Sequence, residues 1–192
     1  LKNGKSKPWN NMSNIIVFSL KENKLLRYYI LYSSVIGATT LTMAWFAQPY
    51  FLVMGIEDGF YFGLIGAGLN FAVAFTAFYA HRIENAISTK IILISILMSL
   101  IICYLFTSQT SSFFGLIALV IFYFTRGIAT PILRDYMNRE TPSEMRATVM
   151  SIRSFIIRLI FASISPFLGY YADTYTLQNA LLLSGIIFFI LG

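Results

Sequence analysis

Apolar positions along this chain come in long unbroken runs rather than in alternation. The run Ile91-Ile-Leu-Ile-Ser-Ile-Leu-Met98 has no period of two, so it does not read as a barrel strand with one polar face. A hydrocarbon layer about 30 Å thick needs roughly 20 apolar residues of helix. Six stretches meet or approach that need: residues 28–54, 60–80, 89–106, 113–133, 149–172 and 177–192, the last stopping short. The pattern over 1–24 predicts a polar, basic linker leading into a short amphipathic segment, 13–20. With Trp9 nearby, that segment either lies along the inner headgroup layer or is an ordinary solvated linker. Residues 25–192 are expected to form an all-α integral membrane bundle of six transmembrane helices.

Composition agrees with that pattern. Of 192 residues, 57% are apolar and 11% charged, against about 25% charged in soluble domains. A chain of this size cannot bury so much apolar surface in one soluble core, and disorder calls for the opposite composition. Cys103 is the sole cysteine, so no internal disulfide forms. The apolar stretch 15–20 is too short for a signal-peptide core and is followed by charges. A formal charge of +6 is therefore read against a membrane and not against nucleic acid.

The basic residues orient the bundle. Lys2, Lys5, Lys7, Lys21, Lys24 and Arg27 precede or open the first span. Arg82 and Lys90 flank the second connection, and Arg134, Arg139 and Arg146 the fourth. The opposite loops, near 55–59, 107–112 and 173–176, hold Glu57, Asp58 and Asp173 and no basic residue. The positive-inside rule puts the segment before residue 25 in the cytoplasm of a multi-pass cell-membrane protein.

The six spans fall into two triplets of like polarity. The first two carry Ser33, Ser34, Thr39, Thr40, Thr42 and Gln48, then Asn70 and Thr76; the third has only Ser95, Ser99 and Cys103 among aliphatics. The fourth and fifth carry Thr125, Arg126, Arg153, Arg158, Ser163 and Ser165, and the sixth is nearly bare. Consecutive three-helix units are inverted across the membrane, as in secondary transporters. Polar-striped helices should line a cavity and bare ones should face lipid.

Four segments carry a resemblance: Arg126-Gly-Ile-Ala-Thr-Pro131, Thr141-Pro-Ser-Glu-Met-Arg-Ala-Thr-Val-Met-Ser151, Pro166-Phe-Leu-Gly169 with Tyr171-Ala-Asp173, and Trp45-Phe-Ala-Gln-Pro-Tyr-Phe-Leu52. Together they resemble the second half, helices seven to twelve, of a major facilitator superfamily transporter. The family's cytoplasmic motif, Gly and Asp-Arg followed by Gly and a basic residue, would fall near Ala80-His-Arg-Ile-Glu84, where only Arg82 fits. The resemblance implies that a six-helix amino-terminal bundle is missing from this chain, and that Arg82, Glu144 and Arg146 sit at the cytoplasmic gate or turn.

Individual residues support several readings. Thr141-Pro142-Ser143-Glu144 reads as a capping box that starts the fifth helix. Gly59, Gly63 and Ala67, with Gly66 and Gly68 alongside, make a ladder for tight helix packing or for sliding. Pro49, Pro131 and Pro166 bend spans and can shape gates. Asn70 must find a neighbouring helix or a hydrated cavity. Arg126 and Arg158 lie roughly 10 Å inside the cytoplasmic face, with no acid of this chain at their depth. Their counter-charge is water, a helix carbonyl end, a residue of the missing half or an anionic substrate; snorkelling suits Arg153 best and Arg158 least. No proton-coupling buried carboxylate is visible. Arg158, Arg126, Asn70, Gln48 and Trp45 are the substrate-cavity candidates.

The expected function is a secondary carrier moving a small solute by alternating access, present as a carboxy-terminal half. A non-transporting membrane scaffold or assembly subunit is the alternative. An intramembrane enzyme would need a histidine base near a buried serine, and His81 at the membrane edge is the sole histidine. That one histidine and Cys103 cannot make a metal site of the usual ligand number, and no cofactor is expected. The expected partners are the lipid bilayer, a small-molecule substrate and the missing bundle. Cysteines introduced at 58, 109 and 175 should react with an impermeant reagent applied outside, and those at 84 and 140 should not. Outside labelling at 140 would overturn the orientation.

Overall fold

A computed structural model describes residues 8–192, with side chains from Met12 onward; Lys2, Lys5, Lys7 and the Trp9 side chain lie outside the described residues. Among the described residues every regular element is a helix and there are no strands. The elements are α1 (Pro8–Val17) with a π-helical turn (Phe18–Glu22), α2 (Lys24–Val53), α3 (Gly59–Ala86), α4 (Thr89–Gln109), α5 (Phe114–Arg139), α6 (Arg146–Thr174) and α7 (Leu177–Leu191). Five of them, from α2 to α6, are long and apolar enough to cross a membrane; α7 is a shorter apolar helix of 15 residues.

The amphipathic segment is a helix. Ile15, Phe18 and Leu20 pack on Leu26, Ile30, Met137 and Val149, so it is docked on the bundle rather than a solvated linker. Asn23 then caps α2, its side chain accepting from the Leu26 amide at 2.9 Å. The far end of α2 closes in a Schellman turn: Gly55 takes φ +82, Gly55 N donates to Leu52 O at 2.9 Å and Ile56 N to Phe51 O at 3.0 Å. Asp58 accepts from the Phe60 amide at 2.9 Å and starts α3.

The capping box at Thr141 does not form. Thr141 Oγ1 donates backwards to Met137 O at 2.6 Å and is buried at the end of α5. Its carbonyl accepts from Arg146 Nε at 3.2 Å. With the threonine held by α5, residues Ser143–Met145 make only a 3-10 turn and α6 begins at Arg146.

Packing between helices is reciprocal. Helix α3 packs against α5 and α6 against α2, while α4 packs against α7, and α2 against α5. A glycine sits at each of the first two crossings. Gly127 meets the α3 backbone, where a Cβ would lie 2.5 Å from Val73 O; Gly37 lies under Ile157 of α6, where a Cβ would lie 2.8 Å from Cγ1. Counted from the bounds above, each is the fourteenth residue of its helix. Lipid offers no hydrophobic drive between helices, so close backbone approach and interhelical hydrogen bonds must hold them. Three tyrosines supply such bonds: Tyr32 donates to Leu93 O at 2.5 Å, Tyr104 to Thr39 O at 2.8 Å and Tyr50 to Thr110 O at 2.6 Å.

Two expectations change here. The bare helices α4 and α7 are not simply peripheral. They pack on one another around Tyr104, Phe122 and Phe188, whose ring centroids lie 5.6 Å (Tyr104–Phe122) and 6.1 Å (Tyr104–Phe188) apart. The ladder on α3 is not a contact within this chain: among the described residues, no atom lies within 4 Å of a Cβ built at Gly59, Gly63, Gly66 or Gly68. The α3–α5 contact runs through Gly127 on α5 instead. The rest of α3 divides by size, with Phe60, Leu64, Phe71, Phe75 and Phe78 exposed along another face. Pro131 lies inside α5 and removes the donor that would meet the Gly127 carbonyl.

These contacts set the effect of added methyl groups. Gly127→Ala should destabilise the purified protein by about 1–3 kcal/mol, because the methyl meets backbone that cannot move aside. Gly63→Ala, facing open space, should be neutral or stabilise by up to about 1 kcal/mol. Melting in detergent distinguishes them, and equal shifts would refute the assigned crossing.

Candidate functional site

The basic ends of α3 and α5 meet in an ion-pair cluster. Arg139 Nη2 lies 2.8 Å from Glu84 Oε1 and also pairs with Asp135 one turn earlier on α5. His81 Nδ1 is 3.4 Å from Glu84 Oε2. The Glu84 side chain is only 5% exposed, so Arg139 clips a buried carboxylate of α3 to the end of α5. Glu84 lies two residues from the end of α3, beyond the predicted span 60–80, so it is a buried carboxylate at the helix end and not one at the depth of Arg126. Glu84 was legible only through its pairing across 55 residues, which neither helix shows alone.

Arg126, Arg134, Arg153 and Arg158 lie on α5 and α6 outside that cluster. Arg126 is half-buried, its guanidinium 5.6 Å from the Tyr123 ring. It lines an open groove of roughly 510 Å³ between α3 and α5, with His81, Thr130, Arg134 and Asp135. Arg158 is exposed on α6, beside Ser151 and Ser154 in a different groove, so the structure does not bring Arg126 and Arg158 into one pocket. Arg153 corrects the snorkelling expectation: Nε donates to Ser33 Oγ at 2.9 Å and Nη2 to Ser33 O at 3.4 Å. The approach of α6 over Gly37 brings the Ser33–Ser34 edge of α2 within its reach. Among the described residues, none of Arg126, Arg134, Arg153 and Arg158 has a carboxylate partner.

The remaining candidates scatter. Asn70 is exposed and donates to Gly66 O of its own helix at 2.8 Å, so it joins no second helix. Gln48 is exposed on α2. Arg82 is exposed, 5.3 Å over the Tyr79 ring. Glu144 is exposed in the 3-10 turn, and Arg146 holds the α5–α6 connection through the Thr141 carbonyl.

Trp45 is placed more tellingly. It is 67% exposed, its ring 6.1 Å from that of Phe161, and the two wall an open groove of roughly 490 Å³ between α2 and α6. Thr42, Pro49, Ser165 and Asp173 complete that groove from its depth to its mouth. A largely apolar cleft with a few polar groups is the usual form of a small-ligand site. Trp45 was legible as a cavity residue from the sequence, whereas its companions Phe161 and Ser165 become evident only when α6 packs on α2.

The chain matches no protein-family model, no curated protein and no solved structure.

Removing Arg139 leaves Glu84 buried without its strongest partner. Arg139→Ala should cost roughly 2 kcal/mol of stability, below the 3–5 of a fully buried pair because Arg139 is itself exposed. Glu84→Gln should recover part of that loss in the double variant. Additive effects on the melting temperature would mean the pair does not couple α3 to α5.

Proposed function

We propose that this chain is one six-helix half of a secondary carrier, built from two inverted three-helix units as in the carboxy-terminal half of a major facilitator transporter. The observation that carries the reading is the exchange of second helices: α3 packs on the first helix of the other unit, and α6 does the same in return. A glycine at the same position of α2 and α5 makes each crossing close. A tandem duplication with inverted topology produces such pairwise equivalence, and a scaffold has no need of it.

In this reading the exposed sides of α3 and α6 face a covering bundle. Intramembrane arginines without acids at their depth are costly against lipid, which favours a hydrated cavity or partner carboxylates opposite Arg126 and Arg158. The clip at Glu84 and Arg139 holds the cytoplasmic ends of α3 and α5 together while the bundle rocks. All six apolar helices then cross the cell membrane, with the basic ends inside.

Proteoliposome flux tests the proposal. The monomeric chain alone should give no saturable uptake, because its open face lacks a second wall; saturable uptake by a crosslink-verified monomer would sink the half-carrier reading. When the chain is assembled with its covering bundle, Arg158→Ala should lower flux at normal expression, and Arg158→Lys should lower it less. Wild-type flux in both variants would leave Arg158 as a membrane anchor only.

A further inference from the structure

We propose that the groove between α2 and α6 binds a small organic cation, an amine carried on an aromatic or apolar body. The first support is a pair of hydroxyls that lack partners. Serines and threonines in apolar helices usually return their proton to a carbonyl one turn back. Thr39 does so to Val35 O at 2.8 Å, and Ser163 to Leu159 O at 2.9 Å. Thr42 and Ser165, close by on the same two helices, do not: the hydroxyl oxygen of each is buried without a hydrogen-bond partner. Thr42 is 1% exposed, and both residues line the groove. An unmet buried hydroxyl costs about 1–3 kcal/mol. Two of them, on facing helices in one cleft, leave hydrogen-bond demand at its wall that nothing among the described residues meets.

The walls and the mouth define that ligand further. Trp45, Pro49 and Phe161 offer an apolar, largely aromatic surface. Asp173 stands at the mouth in the last turn of α6, exposed and in no ion pair among the described residues. A carboxylate there already opposes the helix dipole, so a positive charge beside it is doubly favoured. The neighbouring loop adds Glu57 and Asp58, and no Lys or Arg lies in the loops at this end. The indole face of Trp45 attracts cations as well. A carboxylate or phosphate ligand would meet only repulsion at this mouth; the arginines sit toward the other end of the bundle.

The proposal would name the cargo class of the carrier described above, but it is tested by binding rather than flux, so its failure leaves that reading standing. Phenethylammonium, 2-phenylethanol and 3-phenylpropionate share a body and differ in charge. Equilibrium dialysis of the purified chain, referenced to protein-free micelles, should show saturable binding in that order of affinity. The ammonium should lead the alcohol by about tenfold, the size of one good cation–π or carboxylate contact. Asp173→Asn should remove that lead and leave the alcohol unchanged. Thr42→Val should weaken ammonium and alcohol alike, while Thr42→Ser, which keeps the hydroxyl, should not. Equal affinity for the three probes, preference for the anion, an unchanged lead in Asp173→Asn or no saturable binding by the folded chain would each overturn the assignment.

Discussion

A polar hydrogen in an apolar helix must find an acceptor, and most of this fold follows from how the chain meets that demand. Inside the helices, Ser34, Thr39, Thr107 and Ser184 return their protons to carbonyls one turn back, which makes those helix surfaces nearly apolar. Between helices, the tyrosines do the reverse and spend their hydroxyls on another segment's backbone. Tyr32 and Tyr104 tie α2 and α4 in both directions, so the register of these two helices is doubly determined. In water such bonds would add little, since solvent competes for both partners. In lipid water does not compete, though other polar groups of the chain do, and the net worth of each bond is about 0.6–2 kcal/mol.

The same demand separates what was legible in the sequence from what was not. Span positions were legible because length and apolarity depend on single helices. The turn at Gly55 and Asp58 was legible as a loop because its residue types act locally. Pairings across the bundle were not. Glu84 reads as an ordinary charged residue at a helix end until α5 brings Arg139 to it. Arg153 reads as a snorkelling side chain until Ser33 arrives from a helix 120 residues away. Thr141 misled for the opposite reason: its sequence neighbours fit a helix start, but the end of α5 competes for the same hydroxyl and wins by burial.

Small residues show the same limit. The five exposed by spacing on α3 form the more evident ladder, yet the contact made within this chain uses one glycine on α5 with no small neighbour at i+4. Spacing reports which faces could pack closely. It does not report which of them a partner within the same chain will reach.

Pro131 and Gly127 together have a mechanical consequence. The carbonyl left without a donor lies at the residue where α3 leans on α5, so α5 is softest at its main junction with α3. Helix α3 is clamped to α5 at two points, the glycine crossing and the Glu84–Arg139 pair, and these stand on opposite sides of the proline along the chain. A bend at that point would have to change the spacing between the two clamps, which a straight α3 resists. Helix α3 therefore acts as a splint across the weakest turn of α5.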